Sequence, residues 1–232
     1  MSENPCPSSA FQAIAIDGPA ASGKSTVSRE LARKLGFIYV NSGEMYRAVT
    51  WAVLKANIDT SDADAVWSFV QALTIDCALT QNAAGERIST VRINGEDPGE
   101  ELRSPEVNAN VSPVASVPAV RELLVARQRD YSQIADIIME GRDIGSVVFP
   151  DTPFKFFVTA SEQVREARRR AEGHSDPIAA RDKQDSTRKA SPLVVADDAV
   201  MVDTSTMPIV EVVQLIESQL MEKGLKKRCG CD

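Results

Sequence analysis

The chain holds a single histidine and four cysteines in 232 residues. His174 lies in a Gly/Ser/Asp stretch that reads as a surface loop, and a Ser-His or Cys-His nucleophile would have to use it, so that chemistry is set aside. The cysteines are too few for a disulfide framework in a chain this long and read as reduced thiols. Cys6 and Cys77 stand alone, and Cys229 and Cys231 form a C-x-C in a basic tail with no second pair and no histidine nearby, which gives no basis for a zinc site. Apolar runs are short: Ile134 to Met139 is broken by Asp136, far below the ~18–20 residues of a membrane span. The start, MSENPCPSS, has neither a charged n-region nor an apolar h-region, so no signal peptide is expected and the protein is expected to be cytoplasmic. Positive charge is in deficit as well. With 26 basic against 33 acidic residues the net charge is −7, which disfavours a nucleic-acid coat.

What remains is ordinary globular composition, 43% hydrophobic and 25% charged, in a chain longer than the ~100–150 residues of a typical domain. Its first pattern is strand, glycine-rich turn, helix: Ala13 to Ile16, then GPAASGKS, then Val27, Leu31 and Leu35 at helical spacing with Gly36 at a C-cap. A second strand, Phe37 to Val40, follows, and Asn41 and Ser42 can cap a helix whose Met45, Val49 and Val53 share a face. This is the grammar of a parallel sheet covered by helices. It resumes in strands at Asp136 to Glu140, Phe154 to Thr159 and Ala199 to Asp203, a basic helix from Ser161, a second charged helix from about Ile178 to Lys189, and a last amphipathic helix after Pro208.

Between Ser61 and Ser112 the pattern changes. A helix through Val66, Val70 and Leu73 precedes alternating segments at Ile75 to Leu79 and Val91 to Ile93, with turn signals at Gly85 and Asn94-Gly95, which predicts a small antiparallel insertion. Ser104-Pro105 opens a further helix that Pro113 must end or kink, and Pro118 opens the next. The expected organisation is a leader over 1–10, a core over 11–60, 113–160 and 190–222, an insertion over 61–112, a lid over 161–189 and a tail over 223–232.

GPAASGKS fits G-x-x-x-x-G-K-[ST] between a strand and a helix. By chance those fixed positions arise in about one per cent of chains of this length. Gly18, Pro19, Ala20, Ala21, Ser22 and Gly23 form a loop whose amides can turn toward anions, and Lys24, Ser25 and Thr26 open the helix whose N-terminus adds favourable field. Lys24 is placed to bridge terminal phosphates. The Ser25 hydroxyl can ligate the Mg²⁺ that accompanies a nucleoside triphosphate. A second substrate carrying a phosphate monoester would need guanidinium forks beside this loop. Candidates are Arg47, Arg121, Arg142, Arg181 and Arg188, of which Arg142 follows a predicted parallel strand, where open α/β sheets bind ligands.

The ordered set IDGPAASGKST, NSGEMYR, VREL…RQR, EGRDIGSVVFPD, RD…D..R..SPL and VDTS resembles the bacterial-type cytidylate kinases over about Phe11 to Gln219. The resemblance implies a P-loop three-layer α/β fold with a five-stranded parallel sheet, an inserted monophosphate-binding lobe with a small antiparallel sheet, and a short lid. It implies transfer of the terminal phosphoryl group of ATP, as MgATP, to CMP or dCMP, by a monomer with no nucleic-acid or membrane partner. Lys24 and the loop would hold ATP and Ser25 magnesium. Arg47, Arg142 and Arg188 would clamp the CMP phosphate; Ser42 would bind the acceptor. Ser112, Arg121 and Asp143 would read cytosine. Asp185 and Arg181 would reach the sugar and the moving phosphoryl group, so Lys24, Arg142, Arg181 and Arg188 form the catalytic set. Arg165, Arg168 and Arg169 would be lid arginines.

Two features depart from the family pattern: Asn41 stands where Asp is usual, and only Arg170 to Ala180 separate Arg169 from Arg181, a short lid. Asp17 and Glu140, at strand ends, are second-tier candidates near the phosphates, Asp17 either ordering magnesium waters or capping the loop. Two other readings stay open at this point. The acceptor could be UMP, AMP or a non-nucleotide, with Asp143 as the discriminating residue. A nucleotide-binding switch would have no need of Arg142, Arg181 and Arg188.

Overall fold

A computed structural model describes residues 11–82, 84–171 and 193–226. The apolar run after Gln12 forms β1 (Ala13–Asp17), buried at every position. The glycine-rich turn leads into α1 (Lys24–Leu35), which stops at Gly36 in the left-handed conformation expected of a C-cap glycine, φ 71°. β2 (Ile38–Asn41) passes without a loop into α2 (Ser42–Lys55), because Asn41 serves as N-cap: its side chain accepts from the Gly43 amide at 3.0 Å. Then come α3 (Ala63–Val70), capped by Asp62, and the hairpin of β3 (Ile75–Gln81) and β4 (Arg87–Ile93). A 3₁₀ turn (Gly99–Arg103), α4 (Pro105–Ala115) and α5 (Pro118–Asp130) return the chain to the sheet. Ser104 caps α4 and prolines open both helices. Pro113 lies inside α4, which ends two residues later.

β5 (Ile137–Gly141), β6 (Lys155–Thr159), α6 (Glu162–Ala171), β7 (Val200–Asp203) and α7 (Ile209–Glu222) complete the elements of the described residues. The helix expected from Ile178 to Lys189 lies outside the described residues, as do His174, Cys6, Cys229 and Cys231.

All seven strands join one sheet in the order β3-β4-β2-β5-β1-β6-β7. Five strands were expected in the parallel sheet and the antiparallel pair in a small sheet of its own. Instead the hairpin extends the main sheet, because β4 pairs in parallel with β2 through Tyr39 and Ile88 while β3 pairs antiparallel with β4. The pleat sends Ile14, Ile16 and Ile138 against Val27, Leu31, Val212 and Ile216 of α1 and α7. Ala15, Ile137 and Met139 point the other way, onto Met45, Val49, Val120 and Leu124 of α2 and α5. Each fully buried aliphatic side chain contributes about 1.5–3 kcal/mol, so the central strands are held from both faces, as near-continuous apolar runs require. No described helix is long and apolar enough to cross a membrane.

This packing fixes three neighbouring strand ends. β5 lies between β1 and β2, with Glu140 in register with Ile16 and Asn41, and Gly141 with Asp17. The residues that follow these ends lie at the carboxyl edge of the sheet, where open α/β sheets bind ligands.

Candidate active site

The phosphate loop is held from outside. Lys24 Nζ donates to the Pro19 carbonyl at 3.0 Å, Arg168 Nη1 to that of Ala21 at 3.3 Å, and Thr204 Oγ1 to that of Ser22 at 2.8 Å. Arg165 Nη1 reaches the Ala20 carbonyl at 3.5 Å. A glycine-rich loop braced in this way at the start of a helix is the setting in which backbone amides form an anion-binding nest. Gly18 is required here: a Cβ on it would stand 2.0 Å from the Val158 carbonyl oxygen. Pro19, Ala20 and Ser22 are packed away from solvent, and Thr26 follows Ser25 in the first turn of α1.

Glu140, at the end of β5, is only 1% exposed. Its Oε2 accepts from Ser25 Oγ at 2.8 Å, its Oε1 accepts from the Tyr39 hydroxyl, and its backbone carbonyl accepts from Ser42 Oγ at 2.8 Å. Burial, and then the Glu140 charge, push the Tyr39 hydroxyl far above its ordinary pKa, so it stays a donor. Ser25 and Glu140 form an oxygen-only pair at the loop, a donor set that fits a hard cation such as Mg²⁺ held mostly by nucleotide phosphates. Glu140 thus moves ahead of Asp17, which turns away from this pair to accept from the amides of Ile144 and Gly145 at 2.8 and 2.7 Å.

Arg47, on α2, donates to the Leu102 carbonyl at 3.0 Å and to Asn108 Oδ1 at 2.6 Å. Its guanidinium is held below its ordinary pKa chiefly by burial; Glu44 opposes this, while the positive charges of Arg103, Arg142 and Arg169 add to it. Those arginines therefore converge on one region, a point that no spacing in the chain reveals. Glu44, in the first turn of α2, is itself pushed up by burial and held back first by Arg103 and Arg29. Arg103 was missed by the sequence reading. It ends the 3₁₀ turn as a lone basic residue, and its significance arises only from α2 packing beside that turn.

Asp143 and Arg121 form a buried ion pair, with side chains 7% and 5% exposed. Arg121 also donates to the Ala115 carbonyl at 3.2 Å and lies over the Tyr46 ring, 5.2 Å from its centroid. Arg121 Nε and Ser112 Oγ are among the buried polar atoms without a hydrogen-bond partner, so both have bonding capacity left for a polar ligand. The second Asp143 oxygen takes no hydrogen bond among the described residues. Arg142, next along the chain, is half-buried and contacts its neighbour's carbonyl at 3.4 Å. Gly141 permits the approach of Ser42 and Ile144, since a Cβ there would meet both at 2.6 Å. Arg142 and Asp143 lead into a π-turn (Ile144–Val148), a feature often found at functional sites and without a pattern signal of its own.

The structure therefore brings together Lys24, Ser25, Ser42, Arg47, Arg142 and the Arg121–Asp143 pair around the three strand ends; Ser112 lies on α4, with no hydrogen bond to that pair among the described residues. Arg165 and Arg168 lie against the loop and α6 also buries Arg169. Arg181, Asp185 and Arg188 lie outside the described residues. Among the described residues no cluster of three or more His, Cys, Asp or Glu side chains could hold a metal by itself.

Comparison with known proteins shows the family. The sequence profile of the cytidylate kinase family matches residues 14–222. The chain is 45% identical over 228 residues to a cytidylate kinase of Mycobacterium avium, covering 93% of this chain and 98% of that protein. It is 43% identical over 221 residues to a cytidylate kinase of Pelotomaculum thermopropionicum, covering 90% and 96%. A bifunctional pantoate ligase/cytidylate kinase of Synechococcus is 43% identical over 217 residues, 88% of this chain but only 43% of that longer protein. Among solved structures, a shikimate kinase from Acinetobacter baumannii aligns over 93% of this chain and 96% of its own at 13% identity, with a TM-score of 0.47. The family match spans the phosphate loop, the β5 edge and α7 together, and by it the chain belongs to the cytidylate kinase family.

Proposed function

We propose that this protein transfers the terminal phosphoryl group of ATP to CMP or dCMP, giving ADP and CDP or dCDP. The observation that carries the reading is the buried Arg121–Asp143 pair standing one residue from Arg142 at the edge of β5, beside the phosphate loop. A carboxylate there accepts from the exocyclic amino group of cytosine, and uracil has a carbonyl in that place. The guanidinium groups of Arg47 and Arg142, joined by Arg188, clamp the acceptor phosphate, and Ser42 and Asp185 hold the acceptor beside it.

The mechanism requires no protein nucleophile, because the attacking phosphate oxygen is already anionic. The loop amides and Lys24 hold the donor phosphates, Arg47 and Arg142 set the acceptor in line, and Lys24, Arg142, Arg181 and Arg188 stabilise charge on the moving group. Ser25 and Glu140 would hold the magnesium ion, which supplies charge neutralisation between donor phosphates when bound. Segment 61–112 acts as the acceptor lobe on a core of five parallel strands. Segment 161–189 acts as a lid that excludes water and so prevents idle hydrolysis. The enzyme works as a cytoplasmic monomer.

The test is ADP release from MgATP with CMP, dCMP, UMP, AMP or no acceptor in parallel. Turnover with CMP and dCMP, weak turnover with UMP and almost none without acceptor is expected. Equal release in every tube would replace this reading with an ATPase or nucleotide switch.

A further inference from the structure

Asp17 takes no part in the contacts assigned above to ATP, acceptor or magnesium, yet it is a carboxylate 6% exposed at the centre of the site. It ends β1, in register with Gly141 of β5, and Gly18 of the phosphate loop follows it directly. Each of its oxygens accepts from a different amide, Oδ1 from Ile144 at 2.8 Å and Oδ2 from Gly145 at 2.7 Å. Those amides open the π-turn that follows Arg142 and Asp143, and Asp143 itself makes no side-chain cap there. A residue of the donor strand thus supplies the cap that the acceptor loop lacks.

A neutral residue would cap one amide more cheaply. Burial pushes the Asp17 carboxyl up, the amides of Gly145 and Ile144 hold it back, and with the like charge of Asp143 set against Arg142 it reaches about 6. Only a carboxylate offers two equivalent acceptors on one short stem. Asn offers one oxygen and turns an NH₂ group against the other amide.

We propose that Asp17 is a positioning residue for acceptor recognition: by holding the amides of Ile144 and Gly145 it sets Arg142 and Asp143 at a fixed distance from the phosphate loop. The proposal rests on the acceptor roles given to Arg142 and Asp143. It predicts that losing one acceptor oxygen disturbs CMP and leaves ATP alone, because the loop's own contacts to Lys24, Arg168 and Thr204 stay in place.

The experiment compares the full-length wild type with Asp17→Asn and Asp17→Ser. KM is measured for CMP at saturating MgATP and for ATP at saturating CMP, together with the kcat/KM ratio of CMP to UMP. Both variants should raise KM for CMP about tenfold or more, narrow the CMP/UMP ratio, and move KM for ATP less than about twofold. In the wild type, hydrogen exchange should find the Ile144 and Gly145 amides protected, and slower still with CMP bound but not with ATP alone. Folded variants with wild-type KM for CMP, equal rises for CMP and ATP, or amides exchanging like an open loop would each overturn the proposal. The exchange measurement decides alone if neither variant folds. A wild type that releases no CMP-dependent ADP would instead fail the kinase reading, and the two failures are distinguishable.

Discussion

Replacing Asp143 with Asn separates two consequences that one buried carboxylate combines. The first is structural: Arg121 loses its ion-pair partner in a site where both side chains are under a tenth exposed, and removing one member of such a pair costs about 3–5 kcal/mol. The amide oxygen still accepts one hydrogen bond, so the lower end applies. The second is recognition. A hydrogen bond to a charged group contributes about 1.5–3 kcal/mol, so kcat/KM for CMP should fall about 10–150-fold at a tenfold loss per 1.36 kcal/mol. UMP presents a carbonyl at the same place, which the wild-type carboxylate repels and an amide N–H can satisfy, so its kcat/KM should hold or rise. The assay is competition between CMP and UMP in one tube, read as the ratio of CDP to UDP. Because both substrates meet the same molecules, any unfolded fraction cancels from the ratio, while urea unfolding reports the structural cost separately. A ratio within twofold of wild type would refute the assignment of Asp143 as the base reader, however unstable the variant proved.

Other expectations follow from the same geometry. Asp17 ionises near 6 in the folded chain against 3.8 ordinarily, so between those values the folded state binds more protons than the unfolded one and stability falls as pH rises, by about 3 kcal/mol for this group. The wild type minus Asp17→Asn difference in urea-unfolding free energy should shrink by that amount from pH 3.5 to 7, and parallel curves would contradict it. Tyr39→Phe removes one of the two side-chain donors on buried Glu140 and should destabilise by about 1–3 kcal/mol; an unchanged midpoint and unchanged magnesium dependence would show that the hydroxyl does nothing for Glu140. Gly18→Ala drives a Cβ to 2.0 Å from the Val158 carbonyl and should abolish ATP binding measured by calorimetry, whereas retained affinity would mean that the loop can shift. Lys24→Ala should lower kcat about 10²–10³-fold in the ADP-release assay, and a loss confined to KM would deny it a role in the moving charge.

What could be read from the chain was set by how far apart the partners lie. The phosphate loop is legible because Gly18, Gly23, Lys24 and Ser25 act within eight residues, between a strand and a helix that announce themselves by apolar spacing. The capping duties of Asn41 and Ser104 and the turns at Gly85 and Asn94-Gly95 are equally local. Glu140 could be suspected only as a strand-end carboxylate, because its hydroxyl donors, Ser25 and Tyr39, are 115 and 101 residues away. The cap that Asp17 places on Ile144 spans 127 residues. Arg103 gave no signal at all, since its charge matters only where the 3₁₀ turn meets α2. The hairpin was read as a hairpin, but its attachment to β2 rests on one parallel pairing, which no alternation of side chains encodes.

Asn41 shows how such distances decide a local choice. As an N-cap, Asn and Asp are nearly equivalent, and the amide oxygen of Asn41 meets the Gly43 amide at 3.0 Å. The two differ in charge, and Asn41 is in strand register with Glu140, while Glu44 stands close enough for Glu140 to raise its pKa. A carboxylate at position 41 would add a further negative charge beside Glu44, whose carboxyl burial already pushes up, and like charges held together drive one another toward protonation. With Asn41 the cap is kept without adding a charge next to Glu140, the carboxylate that touches Ser25. Asn41 is therefore compatible with the proposed chemistry: a duty that requires charge would fall to Glu140 on β5, and the cap at position 41 requires only an acceptor.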